Sequence, residues 1–472
     1  MELRRLISAS ILYGLADMSV LLVSGFLLLP LYTHYLSKEE FGYYVVIRAN
    51  TEFLSYLLYL GVPSAMARLY FDYRANGTHY DYIGTIVVAF TATIAVGAVL
   101  TGVFGADIWR LVAPQVPAWP SIWFCFGAAA LSFYALVGTT WLRLDEAARA
   151  VVALQIGTAI LIAVAASLSL AVFHNGLNGL LTVLMLASLP ASVWLAWKLR
   201  KGFRKLLKAE TIGVTLVLGF PIFLSYLSTF ALNRINLFTL QHWIDIRSIA
   251  VFGLATQLAS LVTVASMSFS KAVQPMIFRA GADDIAALFA KVSPLYVALM
   301  TLSAGLFVLY IADILALVAP ASYGDALDVI FLLAFGNLIN SFSLMSDSAL
   351  MYFKKPKLSL AGAIVGSVAS AVIGLMLVPV WGMRGAALAL VIAFSLKTLA
   401  SQYFAGRLVA TSAVKPMLVS VGFSVVLFAL VDWIQKLGLG RWTIFSAKTA
   451  CILIIVVVLG VVFRGRIRTL IR

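Results

Sequence analysis

Charged side chains inside strongly apolar stretches are the residues of this sequence best suited to chemistry. Arg48 and Glu52 stand four residues apart within "GYYVVIRANTEFLSYLLYL" (42–60), and Lys397 stands alone within "LALVIAFSLKTLA" (388–400). A cation in a low-dielectric setting binds carboxylate, phosphate or pyrophosphate far more strongly than it does in water. Each such group therefore indicates either an internal ion pair or a polar cavity that receives a ligand.

A second group of candidates surrounds Arg234, which is flanked by two asparagines in "LNRIN" (232–236). Acidic residues in comparable apolar surroundings are either partners of the cations or carboxylates that bind and release a coupling proton or sodium ion. The predicted substrate-binding residues are Lys397, Arg234, Arg48, Asn233 and Asn236, and the predicted ion-pairing or ion-coupling residues are Asp17, Glu52 and Asp347.

Each cation also has a purely structural interpretation. Arg48 and Glu52 are spaced i, i+4 and can pair with each other on one helix face. Arg234 lies toward one end of its apolar stretch, from which a long side chain can reach the membrane surface. Lys397 lies about midway along its stretch with no carboxylate near it in sequence. It is therefore the strongest single candidate for lining a polar cavity.

The elements that hold these residues are membrane-spanning helices. The chain has 472 residues, of which 62% are hydrophobic and 11% charged, with a mean hydropathy of +1.03, whereas soluble domains are about half apolar and a quarter charged. A spanning helix needs about 20 mostly apolar residues, and these runs do not alternate as the strands of an outer-membrane barrel do. The predicted fold is all-α, with about fourteen spans at 8–30, 41–62, 82–105, 118–142, 150–172, 177–197, 211–235, 247–269, 290–311, 327–352, 358–378, 383–406, 413–433 and 443–463.

The spans contain an internal repeat. "ADIWRLVAP" (106–114) returns as "ADILALVAP" (312–320), and at the same offset "NGLNG" (175–179) is answered by "WGMRG" (381–385). These matches predict two parallel six-helix repeats around a central cavity, with the substrate site between the halves. The predicted organisation is an N-terminal repeat at 1–205, a C-terminal repeat at 206–410, and two additional helices with a basic tail at 411–472.

The net charge of +15 reflects topology. With the N-terminus inside, 24 of the 34 Lys and Arg residues fall in the two termini and in or at the edges of the even-numbered links, and six fall in the odd-numbered links. This asymmetry follows the positive-inside rule and predicts that both termini are cytoplasmic. It argues against nucleic-acid binding.

The first span carries Asp17 and no convincing cleavage site, so we expect it to remain as a helix in a bacterial plasma membrane.

Short links leave no room for a soluble catalytic domain. The longest, near 198–210, has roughly a dozen residues, and the four His residues are scattered over separate links, so no cofactor and no metal site are expected. The chain is expected to be a transporter and not an enzyme.

The stretch "LPLYTHYLSKEEFGYYVVIRANTEFLSYLLYLGVPSAMARLYFDY" (29–73) resembles the first two helices of the polysaccharide transporters, the Wzx-type oligosaccharide flippases of the multidrug/oligosaccharidyl-lipid/polysaccharide exporter superfamily. The matching pieces are the Leu-Ser-x-x-Glu-Phe-Gly turn at 36–42, the Leu-Gly-Val at 60–62 and the run that ends at Tyr70. The resemblance implies flipping of an isoprenoid pyrophosphate-linked oligosaccharide by alternating access, for O-antigen, capsule or exopolysaccharide assembly. The implied partners are this lipid-linked oligosaccharide, membrane lipids, a polysaccharide polymerase and other assembly proteins.

Two other functions remain open from the residues. A cation-coupled multidrug antiporter of the same superfamily would share the repeat, but we would expect an acidic cavity for cationic drugs. A membrane glycosyltransferase or polysaccharide polymerase would carry an acidic pair beside an external sugar site. The adjacent pair Glu39 and Glu40 is better explained as a helix start, since Ser37 and Glu40 have the capping-box spacing.

Overall fold

The computed structural model describes residues 22–199, 209–281, 284–409, 414–436 and 448–449. Within these ranges the chain is helical and contains no strand, as expected for an all-α fold. Nine of the helices in the described ranges are long and apolar enough to cross a membrane. The protein is therefore a multi-pass membrane protein.

In the described ranges eight α-helices precede residue 200. Their bounds are α1 Leu29–Tyr35, α2 Lys38–Tyr59, α3 Val62–Ala75, α4 His79–Val112, α5 Ala118–Leu144, α6 Ala148–Ser167, α7 Gly176–Leu186 and α8 Leu189–Leu199. Helices α2, α4, α5 and α6 follow the second to fifth predicted spans. Helix α1 overlaps only the end of the first span, α3 lies between the second and third spans, and the sixth span is divided into α7 and α8.

Seven further α-helices follow in the described ranges. The eighth predicted span is divided by a turn at Ser260. The eleventh and twelfth spans form two helical arms that lie against each other and are joined at Gly382, where the backbone is not helical. The bounds of the seven helices are α9 Ala209–Trp243, α10 Ile246–Ala259, α11 Leu261–Arg279, α12 Ile285–Val318, α13 Ala326–Tyr352, α14 Pro356–Gly406 and α15 Val414–Lys436. Most of the first and last predicted spans, and Asp17, lie outside the described residues.

Each copy of the repeated sequence motif lies at the C-terminal end of a long helix. Helices α4 and α12 each have 34 residues, and each ends two residues before the proline of its motif copy. The second pair of matches also has a common structure, because Gly176 and Gly382 both adopt positive φ, at 58° and 53°. Glycine adopts this backbone conformation without the steric penalty that a side chain brings. A glycine with positive φ therefore recurs at an offset of 206 residues.

Helix α2 begins with the predicted capping box. The Glu40 N–H donates to Ser37 Oγ at 3.1 Å, and the Ser37 N–H donates to Glu40 Oε2 at 2.9 Å. These two bonds satisfy donors that a helix N-terminus otherwise leaves unpaired. The structure therefore confirms the helix-start interpretation of this acidic turn.

The chain divides into two compact units, and α9 contributes to both. Unit 1 comprises residues 1–230 with 241–250, and unit 2 comprises 231–240 with residues from 251 onward. Buried aromatic and aliphatic side chains from α4 and α5 form the core of unit 1, including Ile83, Phe90, Phe133 and Trp141. The division gives each group of predicted site residues to a single unit, and the predicted repeat boundary at 205–206 stays a prediction.

Candidate functional site

The first candidate region is a row of polar side chains on α2, in unit 1. Tyr44, Arg48, Glu52 and Tyr56 recur every fourth residue and therefore lie on one face of the helix. Arg48 Nη1 donates to the Tyr44 hydroxyl at 2.8 Å, and the Tyr56 hydroxyl donates to Glu52 Oε1 at 3.3 Å. The Glu52 carboxylate also interacts electrostatically with Arg48. We call these four residues the α2 row.

Aromatic side chains position the two ends of the α2 row. The ring of Tyr44 lies 5.2 Å from that of Tyr32, and Tyr56 stacks on Tyr226 of α9 at 5.7 Å. Arg48 itself is exposed while Tyr44 is buried. Arg48 is therefore an exposed residue whose hydroxyl partner, Tyr44, is positioned by packing against Tyr32.

The second candidate region joins α13 and α14 in unit 2. Lys397 Nζ donates to Asn340 Oδ1 at 2.9 Å and interacts electrostatically with Asp347. Asp347 Oδ1 accepts hydrogen bonds from Ser359 Oγ at 2.8 Å and from Ser401 Oγ at 3.2 Å. We call these five residues the α13–α14 cluster. It combines one ammonium, one carboxylate and three neutral polar groups.

Small residues let the two arms of α14, before and after Gly382, approach each other closely. A methyl group on Gly362 would lie 3.0 Å from Ser401 Oγ, and one on Gly366 would lie 3.0 Å from Lys397 Cβ. The Thr398 hydroxyl adds a bond to the Ile339 carbonyl at 3.1 Å. Close helix packing through glycine and hydroxyl bonds across helices are common ways of joining helices in membranes. The cluster is therefore stabilised both by close packing within α14 and by a hydrogen bond between α14 and α13.

The three predicted residues of α9 have different environments. Asn233 is exposed and Arg234 is half-buried. Asn236 is 1% exposed, and its Nδ2 donates to Ser370 Oγ of α14 at 3.0 Å. A methyl group on Gly374 would lie 2.0 Å from Asn236 Oδ1. Asn236 therefore fixes α9 against α14 within unit 2.

Neighbouring polar residues that the sequence interpretation did not single out complete both regions. Tyr44, Asn340, Ser359 and Ser401 each bond to a predicted site residue. Asn340 belongs to the unusually polar run "NLINSFSLMSDS" (337–348) inside α13. The density of Asn and Ser in that run was a usable signal. The bond between Tyr44 and Arg48 could have been inferred from their i, i+4 spacing.

Loops at the predicted outer end of unit 1 are joined by polar contacts. Gln115 Nε2, which follows the first motif copy, donates to the carbonyls of Gln241 and Ile244, both at 2.6 Å. Arg247 Nη2 lies 3.9 Å from Glu39 Oε2. Residues 241–247 are therefore tied to the start of α2 and to the link between α4 and α5.

Asp245 caps α10 within this loop. Its Oδ2 accepts hydrogen bonds from the N–H groups of Arg247 and Ser248, and its Oδ1 accepts one from the Ser248 hydroxyl at 2.6 Å. Burial acts to raise the pKa of Asp245, but these hydrogen bonds outweigh burial and hold the pKa below its usual value. Asp245 therefore has the same role at α10 that Ser37 has at α2.

Among the residues that the structure describes, no group of three or more His, Cys, Asp or Glu side chains could hold a metal ion. The α13–α14 cluster has a single carboxylate, and its ammonium supplies the positive charge that a bound cation would otherwise supply. A cation beside a carboxylate, as in both regions, can bind an anion or exchange an ion.

Comparison with solved structures shows which known proteins have a similar fold. No protein-family model matches the chain, and no curated protein matches it in sequence. The lipid II flippase MurJ, in an inward closed conformation, gives a TM-score of 0.75 at 14% identity and covers 98% of this chain and 100% of its own.

Other transporters of the MOP superfamily give the second kind of match. An inward-facing multidrug resistance MATE family transporter of the MOP superfamily gives a TM-score of 0.61 at 17% identity, over 86% of this chain and 95% of its own. A MOP superfamily transporter from Pyrococcus furiosus gives 0.53 at 17% identity, over 87% and 96%. The chain therefore has the fold that MurJ and the MATE transporters of the MOP superfamily share.

Proposed function

We propose that this protein is a membrane transporter that flips an isoprenoid pyrophosphate-linked oligosaccharide from the cytoplasmic to the outer leaflet, by alternating access. The observation that carries this proposal is the likeness to a lipid II flippase over nearly the whole length of both chains. The resemblance of residues 29–73 to polysaccharide transporters gives the finer assignment to O-antigen, capsule or exopolysaccharide assembly. A polysaccharide polymerase and other assembly proteins would then act beside it.

The head group of such a substrate explains the cations in the apolar segments. A pyrophosphate carries several acceptor oxygens and negative charges, which Arg and Lys side chains bind with charge-assisted hydrogen bonds. In our proposal Arg48, Arg234 and Lys397 attract the pyrophosphate, and exposed Asn233 bonds to the sugars. Asn236 contributes by positioning α9.

The acidic residues balance these cations. Glu52 and Asp347 each interact electrostatically with a cation of their own unit. Without such carboxylates, an unpaired Arg or Lys would cost several kcal/mol in the membrane interior. We propose that Asp17, Glu52 and Asp347 hold the empty site in a neutral state and that the substrate, or a coupling proton or sodium ion, replaces these contacts during transport.

Movement of the halves would carry the head group across. In this mechanism the repeats 1–205 and 206–410 rock against each other in a bacterial plasma membrane with both termini in the cytoplasm, while 411–472 adds two helices outside the repeat. Parallel repeats of this kind place substrate at the interface of the halves. The lipid tail would remain in the bilayer throughout.

Flipping in proteoliposomes tests the proposal. A fluorescent undecaprenyl-pyrophosphate glycan is incorporated, and its accessibility to a membrane-impermeant quencher reports the leaflet. The wild type should flip the lipid, and Arg48→Ala and Arg234→Ala should each slow flipping by about tenfold, the loss expected from removing one charge-assisted contact. Arg110→Ala removes a cation that pairs with Asp107 at an exposed site and should flip at the wild-type rate.

The MATE-like matches support one alternative, a cation-coupled multidrug antiporter. If purified wild type left the glycan lipid unflipped but moved a cationic dye against a proton gradient, the fold assignment would stand and the proposed cargo would be wrong. Transferase or polymerase activity of the purified protein on lipid-linked sugar would instead contradict the expectation that the chain is not an enzyme.

A further inference from the structure

Tyr226 of α9 stacks on the last residue of the α2 row. The ring centroids of Tyr226 and Tyr56 are 5.7 Å apart, with an interplanar angle of 22°. Buried Phe230 packs edge-on against Tyr56 at 6.0 Å and lies 5.3 Å from Phe53. All four residues belong to unit 1. We call Tyr56 and Tyr226 the tyrosine pair, and its position is fixed by these aromatic contacts.

The part of α9 in unit 1 has two exposed faces that differ in polarity. Val217, Phe220 and Leu224 are exposed and recur at spacings of three and four residues, so they form one apolar face. Tyr226 is 42% exposed, and it lies two residues beyond Leu224, which is about 200° around a helix. Exposed Thr229 is three residues further on, on the same side as Tyr226. The apolar face suits lipid hydrocarbon, and the ring of Tyr226 points away from that face.

Polar groups adjoin the tyrosine pair. The Tyr226 hydroxyl bonds to Ser64 Oγ at 3.1 Å, and the Tyr56 hydroxyl donates to Glu52 Oε1 at 3.3 Å. Glu52 and Arg48 lie within an apolar span, where ionisable side chains face the interior of a helix bundle or a water-filled cavity. The exposed side of the tyrosine pair therefore adjoins a polar space.

A stacked tyrosine beside a carboxylate has the chemistry of a sugar-binding site. The C–H groups on the flat side of a sugar ring are attracted to the negative face of an aromatic ring. The hydroxyls at the edge of the sugar donate charge-assisted hydrogen bonds to a carboxylate. Tyr226 supplies the aromatic surface and Glu52 the carboxylate. A hydrocarbon chain would use only the aromatic surface, so a sugar fits this combination better.

The charges favour a neutral sugar over a cation. Aromatic rings also bind quaternary ammonium groups, which a nearby carboxylate would attract further. Glu52, however, interacts electrostatically with Arg48, so its negative charge is balanced within the α2 row. A cationic ligand beside Glu52 would also be repelled by the Arg48 guanidinium.

The position of the tyrosine pair suits the substrate of the proposed function. Arg48 and Tyr56 are eight residues apart, which is about 12 Å along α2. In that function Arg48 attracts the pyrophosphate, to which the first sugar is attached directly. The tyrosine pair thus lies at the distance that a short oligosaccharide extending from the pyrophosphate would span.

We propose that the exposed ring of Tyr226, positioned by Tyr56, binds a sugar ring of the lipid-linked oligosaccharide, and that Glu52 accepts hydrogen bonds from the hydroxyls of that sugar. The assignment rests on the proposed function, because it concerns the glycan of the same substrate. Arg48 then supplies affinity for the head group. Tyr226 supplies a preference for a lipid that carries sugar over the same pyrophosphate lipid without it.

Binding of two lipids tests the assignment. Isothermal titration calorimetry of the full-length protein in detergent compares undecaprenyl-pyrophosphate glycan with undecaprenyl pyrophosphate. The wild type should bind the glycan lipid about tenfold more tightly, the gain expected from one stacked ring. Tyr226→Ala should abolish this preference and weaken binding of undecaprenyl pyrophosphate much less. Phe220→Ala removes an aromatic ring from the apolar face of the same helix and should keep the preference.

Two further variants separate the ring from its hydroxyl and its bulk. Tyr226→Phe keeps the ring and should retain most of the preference. Tyr226→Leu keeps an apolar side chain without an aromatic face and should lose the preference, which covers the case that Tyr226→Ala does not fold.

The outcomes distinguish the sugar site from the proposed function. If the wild type flips the glycan lipid in proteoliposomes but Tyr226→Ala prefers it as strongly as Phe220→Ala does, the sugar site is wrong and the proposed function stands. If the wild type neither flips nor prefers the glycan lipid, both are wrong. Binding of tetraethylammonium that is weakened by Tyr226→Ala, without any preference for the glycan lipid, would overturn the proposal and assign the tyrosine pair to a cation.

Discussion

The α2 row and the α13–α14 cluster both hold a cation in an apolar segment, but they hold it differently. Arg48 is exposed, and its partners Tyr44 and Glu52 come from its own helix. Lys397 is half-buried, and its partners Asn340 and Asp347 come from a neighbouring helix. We therefore expect Arg48 to serve substrate binding alone, and Lys397 to join α13 to α14 as well as to attract the substrate.

The largest expected effect on stability is at Lys397. Lys397→Ala removes the charged donor to Asn340 and the positive charge that interacts with Asp347, and leaving such polar groups without a partner costs about 1–3 kcal/mol. Because two partners are affected, we expect a loss near the upper end, about 3 kcal/mol of unfolding free energy. Unfolding in mixed detergent micelles measures it.

A double variant checks that the cause is charge. Lys397→Ala combined with Asp347→Asn removes both charges and should recover at least half of the loss. Leu399→Ala, at a 44% exposed position two residues away, is the packing control and should cost much less. A double variant as unstable as Lys397→Ala would show that the two charges do not stabilise each other.

The second effect concerns the contact between α9 and α14. Gly374→Ala would place its methyl group 2.0 Å from Asn236 Oδ1, and overpacking of this kind typically costs about 1–3 kcal/mol. Adding Asn236→Ala gives the methyl group space, so the double variant should be more stable than Gly374→Ala alone. Gly213→Ala, where no neighbouring atom lies within 4 Å, should cause no loss in the same unfolding assay.

The sequence predicted the helices much better than the partners of their polar side chains. Span positions follow from runs of apolar residues, and the start of α2 follows from its capping-box spacing, so these were accessible. The contact of Asn340 with Lys397 joins residues 57 positions apart. Such a pairing depends on how α13 and α14 pack, which no local pattern specifies.

Asn236 is a second case in which the sequence did not predict the surroundings of a polar side chain. Its place beside Arg234 in "LNRIN" favoured a shared role in binding, yet Asn236 is 1% exposed and bonds to Ser370. Residues two apart on a helix point about 200° apart, so neighbours in sequence meet different surroundings. The sequence shows which residues are polar, but it does not show which surface of the protein each of them faces.

A smaller effect is expected at the Asp245 cap, which supports α10 locally just as the α2 row supports Arg48. Asp245→Ala removes the acceptor for the N–H groups of Arg247 and Ser248 and should cost about 1 kcal/mol. Ser248→Ala removes only the hydroxyl bond and should cost less. Both are measured by thermal unfolding in detergent.

The pH dependence of this cap has a definite sign. Since hydrogen bonding holds the pKa of folded Asp245 below its usual value, the carboxylate adds its stability fully above that usual value of about 4. The contribution is lost as the pH falls through the lower, folded pKa. The stability difference between wild type and Asp245→Ala should therefore be constant from pH 7 to 5 and shrink below about pH 4. A difference that grew on acidification would contradict this assignment.

The smallest effect on stability, and the sharpest test of the comparison, is at Arg48. Arg48 is an exposed residue, and its guanidinium bonds to a hydroxyl of its own helix, so Arg48→Ala should change the unfolding free energy by about 0.5 kcal/mol or less. Glycan-lipid flipping by the same purified variant should fall about tenfold, and Arg48→Lys, which keeps the charge without the planar fork, should fall in between. Tyr44→Phe removes the hydroxyl that orients the guanidinium and should slow flipping less than Arg48→Ala. If Arg48→Ala lowered stability as much as Lys397→Ala did, the α2 row would stabilise the fold as the α13–α14 cluster does. The distinction between a cation with partners on its own helix and one with partners on a neighbouring helix would then be wrong.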